Sequence, residues 1–82
     1  MANSAEIIRK IRILNNLRLR DLAKMLNTTE QYVSNMETGI KKPSINYAYR
    51  LSRIIDFDKW ELYRAIIAET EERIELQLRA EK

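Results

Sequence analysis

The chain has 82 residues with one glycine, one proline, no cysteine and no histidine, and a net charge of +3 at pH 7. That length allows one domain, residues 1–82, with a small core, and the missing cysteines and histidines exclude disulfides, thiolate metal sites and the usual imidazole base or thiol nucleophile of an enzyme. With no Walker loop or glycine-rich dinucleotide turn, no apolar run near the ~20 residues of a membrane span and no signal-peptide core, the expectation is a cytoplasmic, non-enzymatic protein without cofactor or metal.

Residues 1–16 contain the first predicted helix. Asn3-Ser4-Ala5-Glu6 has the spacing of a capping box, and Ser4 is an alternative cap one residue on. Ile7, Ile8, Ile11 and Leu14 form its inward stripe, with Arg9, Lys10 and Arg12 off it. Asn15-Asn16 ends it, because asparagine accepts a positive φ better than most residues. Residues 17–26 form a second helix, with Leu22, Ala23, Met25 and Leu26 on its apolar face. Asn27 suits the left-handed conformation that stops a helix, and Thr29 is a good N-cap for the next.

A third helix is expected over 29–38. Val33 and Met36 restart the apolar face, while Glu30, Gln31, Ser34, Asn35 and Thr38 lie on the other side. Those polar side chains are of types that hydrogen-bond base edges. Tyr32 either flanks that face or covers the helix pair. Gly39, the only glycine, stands where a left-handed residue is wanted, and Pro43-Ser44 stops the loop and caps a fourth helix. Residues 45–55 are expected to bury Ile45, Ala48, Leu51, Ile54 and Ile55.

The last predicted helix runs over about 59–80. Asp58-Lys-Trp-Glu61 reads as a second capping box, with Phe57 and Leu62 as its hydrophobic staple. The core is expected to span about 5–66, closed by the first two turns of this helix. Trp60, Tyr63, Ile67, Thr70 and Ile74 follow alternating three- and four-residue steps, with Leu78 displaced by one. Leu62, Ile66 and Leu76 form a second edge. From Glu69 onward the helix outruns so small a core, so Ile67, Thr70, Ile74 and Leu78 are the expected dimer contacts. Charge divides the same way. Residues 1–57 hold ten basic and five acidic side chains, and residues 58–82 hold five and seven. The front is the part that a phosphate backbone attracts.

Several of these residues stand at the offsets of a known family. Leu22-Ala23, the turn at Asn27, the cap at Thr29, Tyr32-Val33-Ser34, Met36-Glu37, Gly39 and Pro43-Ser44 together resemble the helix-turn-helix domain of XRE/Cro-CI regulators, over about residues 8–62. The resemblance implies an all-α, five-helix, lambda-repressor-like fold with an extended C-terminal helix. It further implies a buried ion pair between Arg12 and Glu37, and a recognition helix at 29–38 whose Glu30, Gln31, Ser34 and Asn35 read bases. Arg18, Arg20, Thr28, Thr29, Thr38, Lys41, Lys42 and Asn46 would hold the DNA backbone. One departure is Leu19, where the family often has a phosphate-contacting glutamine. The function implied is a bacterial or phage transcriptional regulator, by analogy a repressor, binding an inverted repeat in double-stranded DNA as a homodimer. Two alternatives have a protein partner: the antitoxin of a toxin–antitoxin pair, and an interaction adaptor on the same fold.

Overall fold

The computed structural model describes residues 3–80, which form five helices. These are α1 (Ser4–Leu14), α2 (Leu19–Met25), α3 (Glu30–Thr38), α4 (Ile45–Ser52) and α5 (Lys59–Ala80). No strand occurs among the described residues. The outermost ends of the expected domain, residues 1–2 and 81–82, lie outside them.

Four helices start on a short polar side chain that caps them, and three stop on a residue with positive φ. Asn3 Oδ1 accepts from the Glu6 N–H at 2.9 Å, so Asn3 is the cap of α1 and Ser4 is its first helical residue. Thr29 caps α3 and Ser44 caps α4, each through a hydroxyl that accepts an N–H three residues on at 3.1 Å. Asp58 Oδ1 accepts from the Trp60 and Glu61 N–H groups, the forward half of the predicted box. The stops use positive φ: Asn16 and Asn27 both at 57°, and Gly39 at 82°. At Asn27 the Thr28 N–H reaches the Ala23 carbonyl at 2.8 Å and the Asn27 N–H reaches Lys24 at 3.1 Å. This is a Schellman closure, and the same pair of bonds recurs at Asn16.

The core repeats one pattern. Ile7-Ile8-Ile11, Leu22-Ala23-Leu26 and Tyr47-Ala48-Leu51 are all buried, and each spans positions i, i+1 and i+4, an arc of about 100° on a helix. Val33 and Met36 of α3, Ile55, and Leu62 and Ile66 of α5 complete the cluster. α1 packs on α3 and α5, α2 on α3, and α4 on α5.

That pattern corrects four expected core positions. Leu14 is 70% exposed, because it is the last residue of α1 and sits at the rim beside Phe57 and Asp58. Met25 and Ile45 lie more than a quarter-turn from the centres of their buried triplets and are exposed. Tyr47 takes the inward place instead of Ile45. Ile54 is exposed because α4 ends at Ser52, and only Ile55 turns inward.

One polar contact joins the start of α1 to the middle of α5. The Ser4 N–H and Oγ donate to the two carboxylate oxygens of Glu69 at 2.7 and 2.6 Å. Glu69 follows Leu62 and Ile66 along the inward edge of α5, and it satisfies an otherwise free N–H at the start of α1. Beyond it α5 leaves the body. Residues 71–80 are all exposed, and the molecule measures 46 × 24 × 20 Å.

Candidate nucleic-acid interface

The site is built on α2, a tight turn and α3. Ala23 is almost wholly buried; its small side chain lets α2 and α3 approach closely at the sharp turn. Val33 and Met36 point inward. The opposite face of α3 is polar: Glu30 and Gln31 are exposed, and Ser34 and Asn35 are half-buried. The structure therefore gathers all four expected base-reading residues on one helix. Gln31 Nε2 donates to Asn35 Oδ1 at 2.9 Å, so the two amides are paired side by side across one turn. That bond leaves the Gln31 oxygen and the Asn35 amino group available to other partners.

The threonines have local duties. Thr29 accepts from Tyr32 N–H, and Thr38 Oγ1 donates to the Ser34 carbonyl at 3.0 Å. Thr28 is half-buried in the turn. Tyr32 covers the helix pair, its ring 6.0 Å from that of Tyr47. The Tyr32 ring also receives Lys41, whose Nζ lies 5.6 Å from the ring centroid, within cation–π range. The two loop lysines diverge. Lys41 sits against α3, whereas Lys42 lines a cleft with Asn3, Ser4, Thr38, Gly39 and Glu69. Asn46 is exposed in the first turn of α4.

At the start of α2 the structure adds an ion pair. Asp21 Oδ2 accepts the Arg18 backbone N–H at 2.9 Å and its Nε at 3.0 Å. The Arg18 side chain, first, and its N–H, second, hold the Asp21 carboxyl below the usual range. Arg18 is thus half-committed to Asp21, while Arg20 is exposed. Leu19 packs against the core, so the expected family glutamine is replaced by an apolar anchor.

The expected Arg12–Glu37 pair is present and bidentate. Arg12 Nε and Nη2 donate to Glu37 Oε2 and Oε1 at 2.8 and 3.0 Å, and Nη1 donates to the Leu17 carbonyl at 2.7 Å. The hydrogen bond that Arg12 donates to Glu37 outweighs desolvation and raises the Arg12 pKa. One planar group therefore ties α1, the α1–α2 loop and the C-terminal half of α3.

Sequence reasoning missed three polar contributors. Arg50 Nη2 donates to the Leu26 carbonyl at the end of α2; nothing in the local sequence signals so distant a cap. Glu69 stands just outside the expected core of about 5–66, yet its carboxylate reaches Ser4. The Tyr47 hydroxyl is buried with no hydrogen-bond partner among the described residues, and burial first, then the Glu37 charge, pushes its pKa up.

Of the expected dimer contacts, Ile67, Ile74 and Leu78 are exposed on α5, and Thr70 is half-buried. Among the described residues no group of three or more acidic, cysteine or histidine side chains is gathered to hold a metal, and no helix is long and apolar enough to cross a membrane.

The family model described as Helix-turn-helix matches residues 8–58. Comparisons with curated proteins and with solved structures gave no match. The matched stretch covers α2, the turn and α3, with the α1 and α4 side chains that hold them, and on that ground the chain belongs to the helix-turn-helix family of XRE-type DNA-binding regulators, with their lambda-repressor-like all-α fold.

Proposed function

We propose that this regulator is a repressor that binds an inverted repeat as a homodimer, with α3 in the major groove of each half-site. The observation that carries the reading is the amide pair on the polar face of α3. Gln31 and Asn35 are joined at 2.9 Å, which leaves one acceptor and one set of donors side by side. Adenine presents the matching pair in the major groove, an N6 donor and an N7 acceptor. Glu30 is placed beside them to accept from cytosine N4, and Ser34 to contact either kind of edge. Lys41, Lys42, Arg20, the free part of Arg18, Thr28, Thr29, Thr38 and Asn46 supply backbone contacts, which fix register and carry no sequence information.

Two copies would place their recognition helices one turn of DNA apart, about 34 Å, or a multiple of it. The exposed Ile67, Ile74 and Leu78, with Thr70 between them, supply the dimer surface. Occupancy of the operator is then sufficient for repression.

The same unpartnered stripe supports a second reading, an antitoxin whose α5 wraps a toxin while its front represses its own operon. A purified protein that is already a stable dimer, with residues 69–80 protected from amide exchange, removes the motive for that reading.

The test is selection of bound sequences from random duplex DNA by the purified protein at physiological salt. The expected result is an enriched inverted repeat with adenine at the positions facing Gln31 and Asn35. Salt-sensitive binding without enrichment overturns the proposal.

A further inference from the structure

The geometry points to a specific pairing of α5 with α5 of a second copy: antiparallel, with the two-fold axis passing between Ile67 and Thr70. This rests on the homodimer reading above and goes further, because it fixes direction, register and the charged contact that selects them.

The body of the protein claims one side of α5, through Leu62, Ile66 and Glu69. About a third of a turn away runs a second apolar stripe: Trp60, Tyr63, Ile67, Thr70, Ile74 and Leu78. Trp60, Ile67, Ile74 and Leu78 are each about half exposed or more. Trp60 and Tyr63 are already stacked edge to face at 5.3 Å, which makes a rigid aromatic end. Thr70 donates its hydroxyl to the Ile66 carbonyl at 2.8 Å, so it brings no unpaired donor into a dry contact. At 1.5 Å per residue the stripe is about 27 Å long. On the α4 side, Ile45 borders it near Thr70 and Tyr49 near Trp60, and both are exposed apolar side chains. In an antiparallel pair, the projecting half of each α5 stripe lies on the body half of its partner's. Tyr63 then meets the partner's Ile74, and Ile67 meets the partner's Thr70.

Charge selects the same arrangement. Arg64 and Glu71 flank the stripe on one side, seven residues apart. Antiparallel pairing about the proposed axis brings each Arg64 to within two residues of level with the partner's Glu71, giving two symmetric ion pairs. Parallel pairing instead brings Arg64 toward the partner's Lys59, two symmetric repulsions, and leaves Glu71 opposite the partner's Ile66. Opposite charges across an interface set orientation and register more than affinity.

The two directions predict opposite signs for one substitution. In the antiparallel dimer, Arg64→Glu faces the partner's Glu71 and weakens dimerisation about tenfold in sedimentation. The double exchange Arg64→Glu/Glu71→Arg restores it. In the parallel dimer Arg64→Glu faces the partner's Lys59 and tightens it. Far-UV circular dichroism checks that each variant keeps its helix content. The chain has no cysteine, so Arg79→Cys gives a single site for a spin label. Antiparallel pairing places the two labels about 30 Å or more apart, and parallel pairing about 20 Å or less. A dimer with the short distance, or one tightened by Arg64→Glu, overturns this pairing and leaves the homodimer standing. A protein monomeric at every concentration tested overturns both.

Discussion

Replacing Arg12 by methionine tests the interior of the site most directly. The two side chains of the pair are 14% and 4% exposed, so the substitution leaves the Glu37 carboxylate almost fully buried with no counter-ion and strands the Leu17 carbonyl. Breaking one side of a buried pair costs about 3–5 kcal/mol. A chain of this length has about 4–12 kcal/mol of stability in all, so the variant stands near the edge of folding. Glu37→Gln is milder, about 1–3 kcal/mol, because the guanidinium keeps the Leu17 carbonyl and an amide oxygen as acceptors. The double variant Arg12→Met/Glu37→Leu removes both charges together and should return to within about 1 kcal/mol of the parent. Urea unfolding followed by circular dichroism reads all three, with the midpoint moving and the slope unchanged. A loss below about 1 kcal/mol for Arg12→Met, or a double variant as weak as the single, refutes the burial argument. DNA affinity separates orientation from stability. The double variant should fold well yet bind its operator more weakly, since a planar clamp on α3 has become a slippery apolar contact.

Asn35→Ala should cost about 1–3 kcal/mol on the selected operator and relax preference at one base pair; an equal loss on all sequences removes Asn35 from base reading. Gly39 has φ of 82° with open space where a Cβ would stand, so Gly39→Ala should cost about 1 kcal/mol from backbone strain alone. Gly39→Asn should cost less, as Asn16 and Asn27 already hold positive φ; equal losses measured by denaturation would contradict this. Tyr47→Phe removes a buried hydroxyl without a partner and should be neutral or stabilising by up to about 1 kcal/mol; a clear loss means the hydroxyl is bonded in solution. Asp21 has a depressed pKa, so its contribution to folding is present above the unfolded value near 3.9 and fades as pH falls through the lower folded value. Carboxyl chemical shifts should show this, and Arg18→Ala should move the Asp21 titration up; an unmoved titration refutes the pair.

Local rules and long-range ones were unequally legible. Helix ends were readable because their determinants are adjacent in sequence: Thr29 and Ser44 as caps, Asn16, Asn27 and Gly39 as stops. The polar face of α3 was readable because four residues at helical spacing alternate with Val33 and Met36. Burial at the helix rims was not. Leu14, Met25, Ile45 and Ile54 are apolar at plausible spacing, and only the positions of neighbouring helices decide between them and Tyr47. The Glu69–Ser4 and Arg50–Leu26 contacts span 65 and 24 residues, and no pattern within one helix encodes such a partner. The Arg12–Glu37 pair, 25 residues apart, was reached only through the family resemblance.

Those distant polar contacts share a purpose. α2 and α3 are short, seven and nine residues, and helices of that length have little stability of their own. The proposed role of α3 in reading bases requires it to hold its side chains in place before DNA arrives, because any ordering left until binding subtracts from affinity. Arg12 on α1 fixes the loop before α2 and the C-terminal half of α3; Arg50 on α4 fixes the carbonyl that ends α2. Both are long side chains from helices outside the reading pair, and both end in a rigid fork that takes two or more partners or a backbone oxygen. The apolar core packs α2 on α3 through Ala23, Val33 and Met36, and the polar contacts add direction to it. Those bonds lie at the loop before α2, at its end and at the back of α3, and leave Glu30, Gln31, Ser34 and Asn35 unobstructed. If α3 reads bases as proposed, specificity depends also on residues that touch no base. Losing Arg50 should accordingly blunt base preference even where the fold survives.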